Sequence, residues 1–401
     1  MLLVALIFFA PTNLFYKFSE TGSFVHGLQI DYLIGKLYLS QLPLFGLLGL
    51  WLSDKSNWTH LHQTWQQPHT RVAVILFFLI GLRQWFSPVP LIGIWQWLSI
   101  ASVALLVLSL TEDLTLLRAP IISAAIALTV VFQSAVGIAQ FQQQHELIGY
   151  RLLGEPELSN YIGLARITIF GADRVLPYGT TAHPNVLAGF LAIYCVLVLT
   201  RWKNSARVGR VFLSTALLLG VVTLLITTSV SGITAFVLGV FVLLAHQKLL
   251  MHLHLTRLVI CTIIILIPLG IHFATILQPQ APSLDRREYL QIAGLGMFLD
   301  APLWGTGLQT ATRYIEDYST TSEIVRFSQP PHHMGILVLA EAGLLGAILL
   351  FLLLLTEKQF LSLLILAPIV SLDHYLLTLV PGIVLAGLCI LLLCYDSSNS
   401  D

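Results

Sequence analysis

Long apolar runs separated by short polar connections dominate the chain. A membrane-spanning helix needs roughly 20 mainly apolar residues, with about 17–25 as the practical range. By that criterion the sequence predicts twelve spans, of which the first and third are short. Their approximate limits are 2–16, 33–52, 72–86, 91–110, 119–141, 183–200, 211–227, 230–246, 257–277, 333–355, 359–376 and 380–395. The first run lacks a charged leader and a small-residue cleavage site, so we expect a span there rather than a signal peptide.

Two long polar stretches interrupt this rhythm, at residues 142–182 and 278–331. Loops longer than about 15 residues are usually functional or disordered. Both stretches contain aromatic residues and helix-like segments, so we expect them to be ordered. The sequence therefore predicts an all-α fold, in which one polytopic membrane domain (residues 1–401) carries a cap formed by the two loops.

The composition supports a membrane protein. Apolar residues make up 56% of the 401-residue chain and charged residues only 10%, where about 25% charged is usual in soluble domains. A compact soluble protein could not bury so much apolar surface, so the lipid bilayer must serve as solvent. The formal net charge is zero, which excludes a nucleic-acid partner bound through bulk positive charge.

The distribution of basic residues predicts the orientation. The short loop at 201–210 carries Arg201, Lys203, Arg207 and Arg210 and no acidic residue. Such an excess of Lys and Arg is typical of cytoplasmic loops. With an even number of spans, both long loops then lie together on the outer face.

Ionisable groups near a membrane are costly and are therefore candidates for function. Arg174 precedes residues 177–185, which end in His183-Pro184-Asn185 where a span begins. Proline is favoured in the first turn of a helix, and the free N–H groups at that end attract phosphate. A plain helix cap and turn is the alternative interpretation.

A second cluster contains Arg286 and Arg287, which open an amphipathic segment that ends at Asp300. Adjacent residues face different sides of a helix, so at most one of these arginines can easily enter a shared site. The planar guanidinium suits bidentate phosphate binding. Asp285 and Glu288 lie alongside, and taken alone the segment fits a salt-bridged surface helix better.

Two further groups contain histidine. His332 and His333 follow two prolines at the start of an apolar run, and imidazole suits proton transfer near neutral pH. Their adjacency is poor spacing for a metal ion, so we expect no metal. Glu341, inside the run, fits an internal bond between helices. Asp373 next to His374 fits a carboxylate that orients an imidazole or binds a hydroxyl-rich ligand.

Five segments together resemble the O-antigen ligase/polymerase superfamily of membrane glycosyltransferases, in the order typical of that family. They cover residues 150–382 and are Leu153-Gly154-Glu155-Pro156; 178–189, with Tyr-Gly-Thr and His-Pro-Asn; 286–307, with Gly-Thr-Gly at its end; His332 with Leu-Ala-Glu-Ala-Gly-Leu-Leu-Gly at 339–346; and Asp373-His374-Tyr375. A basic helix, a Gly-Thr-Gly loop and the last two motifs are specific in combination. Residues 1–150 match only in hydropathy.

The resemblance implies a GT-C-like fold and a reaction. A glycan would move from an undecaprenyl-diphosphate carrier to an acceptor hydroxyl on a glycan, lipid or protein, with inversion and without metal or cofactor. The site would face the extracytoplasmic side of the cytoplasmic (inner) membrane. The implied residues are His332 as the catalytic residue, Arg286, Arg174 and Arg287 for the diphosphate, and His333, His183, Asn185, Glu341, Asp373 and His374 in supporting roles.

The chain departs from the family pattern at three positions. His333 replaces an asparagine, Leu176 stands where relatives carry an arginine before Pro-Tyr-Gly-Thr, and Val230 stands where an arginine follows serine. A catalytically impaired homologue is therefore one alternative. Another is a transporter or carrier for a small anion or a lipid-linked sugar. Transporters commonly show inverted repeats and polar groups at the membrane midplane, whereas the polar residues here collect in one outer layer, which favours an enzyme.

Overall fold

The computed structural model of this protein describes residues 1–110, 115–159, 163–251, 282–319, 321, 328–354 and 360–397. The described chain is mostly helical. Its helices are α1 (Leu2–Phe9), α2 (Gln41–Ser53), α3 (Lys55–Trp65), α4 (Pro68–Arg83), α5 (Pro90–Leu110), α6 (Thr115–Arg118), α7 (Pro120–Gln143), α8 (Tyr150–Leu153), α9 (Pro184–Trp202), α10 (Arg207–Ile226), α11 (Val230–Met251), α12 (Pro282–Asp300), α13 (Ala311–Tyr314), α14 (Met334–Leu354), α15 (Phe360–Leu372), α16 (Tyr375–Thr378) and α17 (Val380–Ser397).

Three small two-stranded antiparallel sheets lie outside the helices. Their strands are β1 (Phe15–Ser19), β2 (Phe24–Val25), β3 (Leu28–Gln29), β4 (Gly35–Tyr38), β5 (Arg166–Ile169) and β6 (Ala172–Val175). The pairs are β1 with β4, β2 with β3, and β5 with β6. Short 3₁₀ turns occupy Asp31–Leu33, Gln84–Phe86 and Ile315–Tyr318.

Helix α9 lies at the centre of the bundle. Every residue from Val186 to Val198 is buried, and α9 packs against α7, α10, α11 and α17. A helix that is apolar on all sides is stable only when neighbours cover it completely. The functional candidates near residue 183 therefore lie at one end of the central helix, and the basic 201–210 loop lies at the other.

Five of the described helices are long and apolar enough to cross a membrane: Pro90–Leu110, Pro120–Gln143, Pro184–Trp202, Arg207–Ile226 and Met334–Leu352. Four shorter apolar segments accompany them: Gln41–Ser53, Val230–Leu244, Ser362–Leu372 and Val380–Leu393. Most predicted apolar runs thus correspond to helices within a few residues. The predicted run at 257–277 lies outside the described residues, as does part of the second long loop.

The first two predicted spans differ from the structure. Helix α1 stops at Phe9, where Thr12 Oγ1 donates to the Phe9 carbonyl at 2.8 Å, and Pro11 cannot supply an N–H to continue the helix. The chain then forms β1, whereas 33–38 forms the end of a 3₁₀ turn and then β4 before α2 begins. An eight-residue helix rises only about 12 Å, so the expectation that 2–16 is one spanning helix is wrong.

Helix α14 is broken at Gly343, which adopts φ 61° and ψ −154°. The break lets the Gly-Thr-Gly loop bond directly to the helix backbone, because Thr306 N–H donates to the Ala340 carbonyl and Gly307 N–H to the Glu341 carbonyl, both at 2.9 Å. Leu344 N–H donates in turn to Pro302 at 2.8 Å. This backbone region is accessible essentially to glycine alone, which explains a glycine within the Leu-Ala-Glu-Ala-Gly motif.

Candidate active site

Polar side chains from distant parts of the chain meet at the N-terminal end of α9. We call this group the site cluster; its members are His183, Asn185, Arg287, His332, Asp373 and His374. His183 caps α9, since its Nδ1 accepts the backbone N–H of Asn185 at 3.1 Å. Its side chain remains accessible to solvent, although surrounding protein and the charge of Arg287 lower its pKa below the ordinary value.

Asp373 connects three segments. Its Oδ1 accepts a hydrogen bond from Asn185 Nδ2 at 3.0 Å and its Oδ2 accepts one from Ser231 Oγ at 2.5 Å. The carboxyl group is buried, and burial raises its pKa, partly opposed by Ser231, by the charge of Arg287 and by Asn185. Arg287 Nη1 donates to the Leu372 carbonyl at 3.2 Å, which fixes the guanidinium near this carboxyl group.

The two histidines of the cluster pack against each other. The rings of His332 and His374 meet edge to face with centroids 5.0 Å apart. Burial, together with the charges of His183 and Arg287, lowers the pKa of His374 to about 3. Burial, with the charges of His374 and both arginines among the further causes, lowers the pKa of His332 well below its ordinary value. Both imidazoles are therefore neutral near pH 7.

The hydrogen bonds of His332 define its tautomer. Its Nε2 lies 3.1 Å from Oε1 of Gln329. An amide oxygen can only accept a hydrogen bond, so Nε2 carries the proton and Nδ1 is the bare nitrogen. Nδ1 is buried and has no hydrogen-bond partner among the described residues. His332 thus offers a free lone pair inside the cluster, which is the arrangement that a proton acceptor needs.

The paired arginines differ in their position. Arg287 acts electrostatically on His183, Asp373, His332 and His374. Arg286 acts on His332, with a smaller influence than Arg287. Both side chains are half-buried, and α12 thereby brings two cations close enough to act on the charge of His332.

Arg174 lies apart from this cluster. It is on β6, opposite Ile167 of β5, and its guanidinium lies 6.0 Å from the ring of Phe141. Among the described residues it makes no hydrogen bond or ion pair to the cluster. Its expected contribution to diphosphate binding stays a prediction.

Glu341 and His333 bond to backbone groups instead. Glu341 Oε1 accepts the N–H of Ala311 at 3.1 Å, and the carboxyl group also receives the N–H groups of Gln309 and Thr310. It therefore holds the turn that follows the Gly-Thr-Gly loop. His333 is buried, and its Nδ1 accepts the N–H of Ile336 at 3.2 Å, which caps the start of α14.

Several residues that the sequence did not single out build the site. On α7, Gln133 Oε1 accepts Thr180 N–H at 2.9 Å, and Gln140 Oε1 accepts the N–H groups of Tyr178 and Gly179 at 3.0 and 2.8 Å. These glutamines are seven residues apart and share one helix face. Gln133, inside an otherwise apolar stretch, and Gln140 seven residues later were a detectable signal, because buried polar groups need partners.

A comparison with protein families bears on the same region. A family model described as O-Antigen ligase matches residues 181–351, a range that contains His183, Arg286, Arg287 and His332. No curated protein matches the chain. The match confirms, over residues 181–351, the resemblance to the O-antigen ligase/polymerase superfamily predicted from the sequence.

Proposed function

We propose that this protein transfers a glycan from an undecaprenyl-diphosphate carrier to an acceptor hydroxyl on a glycan, lipid or protein. The bare Nδ1 of His332, buried beside two arginines, is the observation that carries the proposal. The acceptor hydroxyl gives its proton to Nδ1 as its oxygen attacks the anomeric carbon. The bond from that carbon to the diphosphate breaks, and the electron pair leaves on the diphosphate. A single displacement of this kind inverts the anomeric carbon.

Arg287 and Arg286 bind the diphosphate in this proposal. Guanidinium groups form paired hydrogen bonds to phosphate and stabilise the charge that develops on a leaving group. The bound anion also offsets the cationic charges that help to lower the pKa of His332. Donor binding should therefore make His332 a stronger base at the moment when the reaction needs one.

The surface of α12 supports a lipid-linked donor. Tyr289, Ile292, Leu295 and Leu299 are exposed, and their spacing of three to four residues puts them along one side of the helix. This apolar stripe begins one turn beyond Arg286. A polyprenyl tail or the membrane interior would cover such a surface, with the diphosphate at the arginine end.

The proposed side of the membrane rests on the length of α9. Its 19 residues extend about 28 Å, close to the thickness of the hydrocarbon core. Arg201 and the basic loop lie at one end, and the site cluster lies at the other. Because basic loops favour the cytoplasm, the cluster would face the extracytoplasmic side.

Purified protein in proteoliposomes tests the function. Radiolabelled undecaprenyl-diphosphate glycan is supplied with a panel of glycan, lipid and protein acceptors, and labelled product is measured. We expect transfer by the wild type and by the matched controls His62→Ala and Arg151→Ala, whose side chains are exposed and make no described contact with the site cluster. We expect none with His332→Ala or Arg286→Ala, despite normal expression and insertion.

The same vesicles separate the alternative function. A transporter or carrier would move intact donor or free anion across the membrane and leave the bond to the diphosphate unbroken. Transmembrane movement without bond cleavage would overturn the proposal. Normal transfer by His332→Ala or Arg286→Ala would show that the assigned residue is not required.

A further inference from the structure

The segment between α1 and α2 belongs to the same end of the molecule as the site cluster. Asn13 N–H donates to the Thr180 carbonyl at 2.8 Å, which joins the segment to the first long loop. His26 Nε2 lies 2.5 Å from a carboxylate oxygen of Glu316, which joins it to the second. The residues between α1 and α2 thus form a third part of the structure around the site, outside the matched range of 181–351.

This segment is firmly anchored around residue 32. The ammonium of Lys36, itself buried, lies 2.5 Å from Asp31, and the Lys36 carbonyl accepts Trp95 Nε1 at 2.8 Å. Leu33 is fully buried in an apolar group that also contains Ile92 of α5. With both of its neighbours held in this way, residue 32 has little freedom to move.

Tyr32 reaches the site cluster from this anchored position. Its ring packs edge to face on that of His374 with centroids 5.3 Å apart. Its hydroxyl lies 3.5 Å from Nε2 of His374. The ring of His374 also contacts the ring of His332, with centroids 5.0 Å apart. His374 therefore lies between Tyr32 and the proposed base.

Thr378 lies beside the other nitrogen of the His374 ring. Its Oγ1 donates to the His374 carbonyl at 3.3 Å and lies 2.8 Å from His374 Nδ1. With its hydrogen on the carbonyl, the hydroxyl oxygen can accept a hydrogen bond from a protonated Nδ1. In that tautomer Nε2 is bare, and Nε2 is the atom that faces the Tyr32 hydroxyl.

We propose that Tyr32 is a positioning residue of the site: its hydroxyl donates to Nε2 of His374 and holds that ring in the tautomer and orientation against which His332 packs. In many functional histidine sites, a hydrogen bond to one ring nitrogen fixes the tautomer and orientation of the imidazole. The role of Tyr32 in the reaction rests on the proposed transferase function, whereas its bond to His374 does not.

Tyr32→Phe tests the bond, because it removes the hydroxyl and keeps the ring. Tyr38→Phe is the matched control, since Tyr38 is a buried tyrosine of the same segment with no described contact to His374. Substrate-free protein labelled with ¹⁵N in histidine is measured near pH 7.5, and the His374 signals are assigned with His374→Asn. We expect the Nε2 signal to shift in Tyr32→Phe and to stay in place in Tyr38→Phe. An unchanged Nε2 signal in Tyr32→Phe would overturn the inference.

Steady-state transfer tests the positioning role. Loss of one neutral hydrogen bond that orients a catalytic neighbour should lower kcat about tenfold, while the KM for the donor stays within about twofold. Unchanged kcat alongside a shifted Nε2 signal would contradict the role in positioning. A wild-type protein that transfers no glycan would overturn the proposed function and the positioning role together, and the ¹⁵N signal would then report on the Tyr32–His374 bond alone.

Discussion

The buried carboxyl group of Glu155 fixes the start of the first long loop, and its replacement by glutamine has a calculable cost. Its two oxygens accept hydrogen bonds from Gln140 Nε2 at 2.7 Å and from the backbone N–H groups of Leu147, Ile148 and Gly149 at 2.5 to 3.0 Å. Gln140 also binds the Tyr178–Gly179 turn that leads to His183. Glu155 therefore connects the loop to the support of the site cluster.

Glu155→Gln keeps the shape of the side chain but replaces one acceptor oxygen by an NH₂ donor. A hydrogen bond to a charged group contributes about 1.5–3 kcal/mol and a neutral one about 0.5–1.5 kcal/mol. The change thus costs roughly 1 kcal/mol for each of the three backbone donors. Turning the new NH₂ group toward Gln140 Nε2 adds about 1–2 kcal/mol, so the total is about 4–5 kcal/mol.

Hydrogen exchange measures this loss directly. Local opening exposes the backbone amides of 147–149, and a loss of about 4 kcal/mol accelerates their exchange about a thousandfold. Glu157→Gln is the matched control, because Glu157 is exposed two residues away, and its exchange rates should match the wild type. Unchanged protection of 147–149 in Glu155→Gln would refute the role assigned to the carboxyl group.

Three further predictions concern stability. Gly343→Ala should lower the free energy of unfolding by at least about 3 kcal/mol, roughly the upper end of the cost of one strained backbone residue, because the new Cβ would lie 2.5 Å from a backbone oxygen at φ 61°. The control Gly49→Ala, whose Cβ would meet nothing within 4 Å, should be neutral or slightly stabilising, and denaturant titrations measure both. Asp373→Ala should cost about 2–4 kcal/mol, because it removes the acceptor of the buried Ser231 hydroxyl and of the half-buried Asn185 amide. Asp373→Asn should cost clearly less, and equal losses in thermal unfolding would contradict this. Thermal stability should fall as the pH drops below 6.5, since the unfolded chain then binds a proton that His374, with its pKa lowered to about 3, cannot bind while folded; a drop of the same size in His374→Gln would contradict that assignment.

The helices were predictable because a membrane imposes a simple rule. Apolar runs of sufficient length must close their backbone hydrogen bonds internally, so α5, α7, α9, α10 and α14 follow the sequence closely. The rule fails where tertiary contacts, rather than local hydropathy, determine the secondary structure. Residues 33–38 belong to a predicted span, yet they form the end of a 3₁₀ turn and then β4, which pairs with β1.

The residue types of the candidate site could be predicted from the sequence, but the groups that they contact could not. Residue types at helix ends pointed to His183, His332 and Asp373, which the structure brings into one cluster. The sequence could not reveal that Glu341 holds backbone N–H groups rather than a neighbouring side chain, nor that Tyr32 packs on His374. Both depend on contacts between segments far apart in the chain, which neither spacing nor hydropathy records.

The central claim is that His332 removes the acceptor proton while the arginines hold the donor. Single-turnover transfer and donor binding, measured on the same reconstituted samples, test it most directly with His332→Gln, Arg287→Gln and the control His62→Gln. The account predicts that His332→Gln binds donor normally but transfers at least a hundredfold more slowly, as expected for loss of a general base, and that Arg287→Gln loses donor binding. Transfer at the wild-type rate by His332→Gln with donor bound would contradict it.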